Sequence, residues 1–452
     1  MIMEWGKLLN PGRLCRPDFE EKPGRPAYLQ DHDRILFSEP FRRLAQKTQV
    51  HPLHDHDHVH HRMIHSMETV SVGRSLGAGV GAALEDKKRI SDEQISRLSG
   101  HIQAACLMHD IGNPPFGHSG EDTIGSWFSK HFKGSGGLFE AIPESQRNEF
   151  RKFEGNAQGL RIVGRLEYGQ QDGGLRLSYA TLGAFMKYPC TREMHDEMKV
   201  EDEIPYVGLK KFGVFASDAP LFEEIADALG LIRESQGWCR RHPLAFLVEA
   251  ADDICYRILD TEDAATMGDL QVLEVVEALE GIAGKANYMP TIPARERIGA
   301  LRAVAITGAI AGAVEAFMNN YDAIMMGEFN SDLVGASSKA DGFQKLEDLA
   351  NTRIFVARRK TELEVSGRQI LHSILDHFYM LFEDLKDCQW NQAKLEEENS
   401  HWVKLIRAVD LDLRGVQDDY TALHSLADFV SGMTDRYAVK VRDMVEGRIP
   451  AG

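Results

Sequence analysis

The chain has 452 residues, 43% of them hydrophobic and 27% charged, and a net charge of −17. That is an ordinary globular balance with enough material for a large core. The acidic excess gives no global attraction to nucleic acid, so an anionic ligand needs a local cationic site or a bound cation.

No run of about 18 apolar residues marks a membrane span. The N-terminal stretch 1–18, with Arg13, Arg16 and Asp18, lacks the apolar core of a secretory signal, so a cytoplasmic location is expected. The six cysteines are scattered without a CxxC pair, and Cys106 and Cys255 fall inside apolar helical patterns. Small buried thiols in a reducing compartment fit this usage better than disulfides.

Helical periodicity dominates the chain. Helices are predicted over 102–109, 220–232, 243–264, 298–321, 368–385 and 420–445; in the second, Leu221, Ile225, Leu229 and Ile232 recur at three- and four-residue spacing. The segment 170–179 is the one candidate for a short β-hairpin. Segments 133–137 and 188–211 are predicted as surface loops, the first for its KGSGG run and the second for its polarity and two prolines. The expectation is an all-α fold of one helical domain, with a site-bearing core over about 40–265 and a C-terminal helical part over 266–452.

The histidines are unevenly spread. His109 and Asp110 stand side by side at the end of an apolar helix; His65 lies upstream and Asp252 far downstream. An adjacent His-Asp pair alone is common, and Asp110 with Gly112 reads equally well as a helix C-terminus. Three separate helices bringing His65, His109, Asp110 and Asp252 together would suit a divalent metal with open positions for water and substrate. Beyond the pair, Asn113-Pro114-Pro115-Phe116-Gly117 leads into His118 and Glu121, which share a helical face at i and i+3. A carboxylate that orients an imidazole is a minimal apparatus for proton transfer; the alternative is a plain helix start capped by Ser119.

His65, the segment HDIGNPPFGHSGE at 109–121 and EAADDICY at 249–256 resemble the bacterial dGTP triphosphohydrolase family of the HD superfamily. RRLAQKTQV at 42–50, FEGNAQGLR at 153–161, TLGAFMKYP at 181–189 and SGMTDRYA at 431–438 match in the same order, so the resemblance spans almost the whole chain. It implies an HD-type helical fold with additional helices and loop insertions. It implies one divalent ion per site, magnesium or manganese, on His65, His109, Asp110 and Asp252, with His118 and Glu121 as the catalytic pair. Tyr256 would lie against the sugar where a 2′-hydroxyl would be. Asp260 and Gln49 would bind the 3′-hydroxyl, and Arg62 would hold phosphate oxygens, with Lys187 and Asn156 as further phosphate or base contacts. Asp252, Tyr256 and Asp260 are spaced by four and share one helical face.

The implied reaction is hydrolysis of deoxynucleoside triphosphates to deoxynucleoside and tripolyphosphate. The implied assembly is a homo-oligomer, with a hexamer as the reference, and the partners weighed are the nucleotides, a nucleotide effector and single-stranded DNA. Two other readings stand beside it: another HD nucleotidase or phosphodiesterase, and a non-catalytic nucleotide- or DNA-binding regulator. The run His54, His56, His58, His60 and His61 reads as a solvated loop or an extra metal site, and the cluster Arg358-Arg359-Lys360 as a solvated face or a triphosphate contact.

Overall fold

The computed structural model describes residues 2–49, 60–134, 136–169, 171–199, 204–284 and 292–448. The architecture is all-helical. Among the described residues, extended pairing is confined to isolated bridges such as Thr48 with His61.

Two helices make the central pair. Arg62–Asp86 packs along Asp92–Met108, and Pro243–Met267 lies against both. A helix carrying His65 is expected, but not its 25-residue length, because its glycine content argues against so long a helix. The glycines are explained by the packing. A Cβ at Gly73 would stand 2.6 Å from Cys106 Sγ, and one at Gly77 would stand 2.9 Å from the Ser99 Cα. Only glycine lets the two backbones approach this closely. On either side of that seam Leu76, Val80, Leu84, Leu98, Ile102 and Cys106 are fully buried.

Other expectations need adjustment at their edges. The segment 420–445 is two helices, Asp419–Ser431 and Asp435–Val445, because the Thr434 hydroxyl accepts from the Tyr437 N–H and starts a new helix. Residue 170 of the expected hairpin lies outside the described residues, and the described remainder forms turns. Gly173, Gly174 and Arg176 all have positive φ, which breaks extended pairing, and Ser178 then caps the Tyr179–Phe185 helix. The expected surface loop 188–211 holds the Arg192–Met198 helix and buries Tyr188, Tyr206, Val207 and Leu209. Polar composition hid these few anchors. Of the histidine run, 54–58 lies outside the described residues. His60 is held by Asp263 at 2.8 Å and Glu68 at 3.4 Å.

The stretch Glu296–Asn319 is long and apolar enough to cross a membrane by length and composition. Leu301, Ala305, Ala309, Ala313 and Phe317 form one stripe of it and are buried against the rest of the chain.

A titratable group fixes how the helix Pro243–Met267 begins. The His242 ring is buried, its Nε2–H donates to the Leu8 carbonyl at 3.0 Å, and its Nδ1 accepts from the Leu244 N–H at 3.0 Å. Burial drives its pKa down to about 4, because neither nitrogen can take a further proton without losing a bond. An unfolded histidine titrates near 6.5. Between those values the unfolded chain binds the extra proton, so stability is lost as pH falls, by about 2 kcal/mol between pH 7 and pH 5. The variant His242→Asn lacks this loss. Its stability deficit against the parent, measured by urea unfolding, is therefore expected to shrink over that pH range; a deficit constant with pH would refute the assignment.

Candidate metal centre and cavity

The cavity lies where the Arg62–Asp86 and Pro243–Met267 helices meet the loop after Asp92–Met108, and it has a volume of about 350 Å³. His109 ends that helix with its Nδ1–H donated to the Cys106 carbonyl at 2.7 Å. Its Nε2 lone pair is thereby aimed outward. Across from it, at 3.2 Å, is His65 Nε2. Asp252 Oδ1 sits 3.0 Å from His65 Nε2 and 3.4 Å from His109 Nε2, and Asp110 Oδ1 is 3.7 Å from His109 Nε2.

Donor atoms of His65, His109 and Asp110 all lie within 4.8 Å of one another. The four expected ligands are thus brought together. Two imidazole nitrogens that face each other beside two carboxylates form a set that a cation between them would satisfy, and an N₂O₂ donor set suits a divalent ion. The electrostatics agree. Burial opposes charge on His109, yet Asp110 and Asp252 raise it to about 9. Burial likewise opposes ionisation of Asp252, yet His109 and His65 hold it well below the usual carboxylate range.

Arg62 is buried and its guanidinium donates to Asp110 Oδ2 at 2.7 Å. Gly112 lets the next loop cross the Gly155–Arg161 helix, since a Cβ there would stand 2.0 Å from the Gly155 carbonyl oxygen. The loop then turns through Phe116, a non-glycine residue at φ 64°, an uncommon conformation that needs support. Asp435 supplies it. One carboxylate oxygen accepts from the Phe116 N–H at 3.0 Å; the other accepts from the Thr48 N–H at 3.1 Å and hydroxyl at 2.7 Å. A residue from the far end of the sequence therefore ties together the segments that carry Gln49 and His118. Lys47 is fully enclosed beside them, donating to the Asn113 and Ser431 carbonyls at 2.6 and 2.9 Å. Burial and the neighbouring Arg43 bring its pKa down to about 7.

His118 opens onto the cavity. The surrounding protein and the cations Arg62 and Lys211 lower its pKa. Glu121 also lines the cavity but is engaged elsewhere. Its Oε1 accepts from the Gly155 N–H at 2.9 Å, and its Oε2 is 3.8 Å from Lys211 Nζ. Shared helical face notwithstanding, no hydrogen bond joins His118 to Glu121 among the described residues. Burial and the nearby Glu154 raise Glu121 to about 8.

The remaining expected residues divide. Gln49, Arg62, Asn156, Lys187 and Tyr256 line the cavity; Asp260 is buried one helical turn beyond Tyr256. Asn156 donates to Glu154 at 2.6 Å and Lys187 pairs with Glu249 at 3.3 Å. Gln49 Oε1 and Asp260 Oδ2 are buried without a partner, so each has room for one hydrogen bond.

Sequence reasoning missed Lys211, Glu154 and Phe355. Lys211 pairs with Glu154 at 2.8 Å, and the Phe355 ring lies parallel to Tyr256 with centroids 6.3 Å apart. Lys360 of the unplaced basic cluster lines the cavity, its ammonium 4.2 Å from the Phe355 centroid. Lys211 and Lys360 arrive from segments predicted as loop and solvated face, Glu154 sits within the FEGNAQGLR piece without a role of its own, and Phe355 lies in a stretch with no sequence signal.

Comparison with known proteins gives a consistent result. Residues 62–163 match the HD domain family. A "deoxyguanosinetriphosphate triphosphohydrolase-like protein" of Pseudomonas aeruginosa (strain LESB58) is 39% identical over 465 residues, covering 99% of both chains. A protein of the same description from Synechocystis sp. is 36% identical, covering 98% of this chain and 99% of its own. A "deoxyguanosinetriphosphate triphosphohydrolase" of Yersinia enterocolitica is 27% identical, covering 91% and 92%.

Proposed function

Because the chain belongs to the deoxyguanosinetriphosphate triphosphohydrolase-like family of HD-domain proteins, we propose that it hydrolyses deoxynucleoside triphosphates to deoxynucleoside and tripolyphosphate. The observation that carries this reading is one cavity lined by His109, Asp110, Asp252, His118 and the sugar-side residues Gln49 and Tyr256, with His65 Nε2 within 3.2 Å of His109 Nε2 and 3.0 Å of Asp252 Oδ1 at its wall.

His65, His109, Asp110 and Asp252 would hold a divalent ion, which when bound supplies Lewis-acid stabilisation of charge on the α-phosphate. The chain's own residues do the rest. The substrate carries about four negative charges at neutral pH. Arg62, fixed by Asp110, and Lys187, Lys211 and Lys360 offset that charge around the cavity.

A water oxygen bonds to the α-phosphorus and the bond to O5′ breaks. His118, whose lowered pKa leaves it neutral near pH 7, takes a proton from the water, and a proton ends on O5′ of the departing deoxynucleoside. Glu121 lines the same cavity and would join His118 as a pair only by leaving the Gly155 N–H that its carboxylate accepts from here.

At the other end, Tyr256 backed by Phe355 closes the sugar side. The unpaired Gln49 Oε1 would accept the one proton of the 3′-hydroxyl, and the Asp260 carboxyl, which burial holds protonated, would donate from Oδ2 to the hydroxyl oxygen. A 2′-hydroxyl against the Tyr256 ring would be crowded and without a partner, and a buried unpaired hydroxyl costs about 1–3 kcal/mol.

The test is a comparison of dGTP with GTP, on parent and Tyr256→Ala, with products identified. Tripolyphosphate and deoxynucleoside are expected, with a dGTP preference in kcat/KM of roughly ten- to hundredfold or more that narrows in the variant. Release of orthophosphate would instead indicate a different HD phosphatase. A ratio that Tyr256→Ala does not move would remove this residue as the gate.

A further inference from the structure

Beside the cavity, and sharing Glu121, Glu154 and Lys211 with it, runs a groove of about 850 Å³. Nine lysine and arginine side chains line it against three carboxylates, in a chain whose net charge is −17. Some of these cations are neutralised: Arg192 pairs with Asp196 at 2.5 Å, and Arg151 with Glu144. Lys130, Lys133, Lys152, Lys210 and Arg368 have no ion-pair partner among the described residues, and all five are exposed.

They do not come from one basic run of sequence. Lys130 and Lys133 stand at the end of the Gly117–His131 helix, Lys152 follows Glu144–Arg151, Lys210 follows the turn Val207–Leu209, and Arg368 lies on the long helix Arg358–Asp387. The fold gathers like charges that repel one another, which is tolerable where a polyanion offsets them.

We infer that this groove binds a linear oligophosphate, taken up next to the catalytic cavity by way of Lys211. The groove has flexible point-charge donors and few carboxylates, which suits a chain of phosphates rather than a sugar or a base. A tripolyphosphate carries several negative charges, and Lys211 lines both the cavity and the groove, so the groove offers the released product an adjoining site. The triphosphate tail of a second nucleotide has the same chemistry. The product source rests on the proposed reaction; the groove's affinity for oligophosphate does not.

The experiment titrates inorganic tripolyphosphate, orthophosphate, dGTP and a short single-stranded oligonucleotide into the full chain by calorimetry. The parent is compared with the variant Lys130→Glu/Lys133→Glu/Arg368→Glu and with its conservative counterpart Lys130→Arg/Lys133→Arg/Arg368→Lys. Tripolyphosphate affinity is expected to fall at least about tenfold in the charge-reversed variant and to survive in the conservative one. It is also expected to weaken as salt is raised. Circular dichroism and dGTP turnover serve as the folding control, since none of the three residues lies in the catalytic cavity.

Loss of tripolyphosphate binding alone assigns the groove to the product, while loss of an additional dGTP equivalent assigns it to a second nucleotide. Unchanged tripolyphosphate affinity in the charge-reversed variant overturns the inference. So does a groove-dependent affinity for the oligonucleotide that exceeds that for tripolyphosphate. If groove-dependent tripolyphosphate binding is found in a chain that hydrolyses no deoxynucleotide, the proposed reaction fails and the groove stands.

Discussion

Replacing Asp110 is expected to remove the bound metal and with it at least about a thousandfold of turnover, because a Lewis-acidic ion supplies several kcal/mol at the reacting phosphate. Asp110 does two things at once. One oxygen faces His109 within the candidate metal-binding group, and the other accepts from buried Arg62 at 2.7 Å. Alanine at this position therefore also strands a buried guanidinium, which costs about 3–5 kcal/mol of stability. The variant Asp110→Asn separates these effects. Its amide oxygen can still accept from Arg62, yet the anionic donor is gone, so the fold is expected to hold while the metal is lost. Elemental analysis of purified parent and variant, together with thermal unfolding, distinguishes the outcomes. Metal content undiminished in a folded Asp110→Asn protein would overturn the assignment of this residue.

Much of the candidate metal centre was legible because its residues are grouped locally in the sequence. His109 and Asp110 are adjacent, and four-residue spacing puts Asp252 and Tyr256 on one side of a helix. What was not legible depends on long-range packing. The helix that carries His65 reads as weakly helical until the Cys106 and Ser99 contacts explain its glycines. Asp435 has no local signal of its use, yet it anchors Phe116 and Thr48 from more than 300 positions away. The groove is the extreme case, since its cations are distributed over separate elements of an acidic chain. Helical spacing gives a shared face but not a hydrogen bond. His118 and Glu121 share a face, but the Gly155 N–H and the Lys211 ammonium claim the Glu121 carboxylate.

That last difference sharpens the expectation for His118. The variant His118→Ala is expected to retain metal and to bind substrate, but to lose kcat by roughly 10²–10⁴, the usual share of a general acid–base group. The side chain opens onto the cavity, so its removal leaves no buried void to destabilise the fold. The enclosing protein, Arg62 and Lys211 all disfavour its protonated form. A group that must be neutral to accept a proton then stays competent down to below its ordinary value of 6.5. The acid limb of kcat/KM is accordingly expected below that pH in the parent and absent in His118→Ala. Glu121→Gln provides the contrast. If Glu121 oriented the imidazole, this variant would lose nearly as much turnover as His118→Ala. With the Glu121 side chain bound to the Gly155 N–H instead, the expected loss is smaller and falls on the loop's position, raising KM along with any drop in kcat. A His118→Ala enzyme with near-parental kcat would remove the residue from the chemistry. Equal losses in the two variants would restore the pair as a hydrogen-bonded unit formed only when substrate is present.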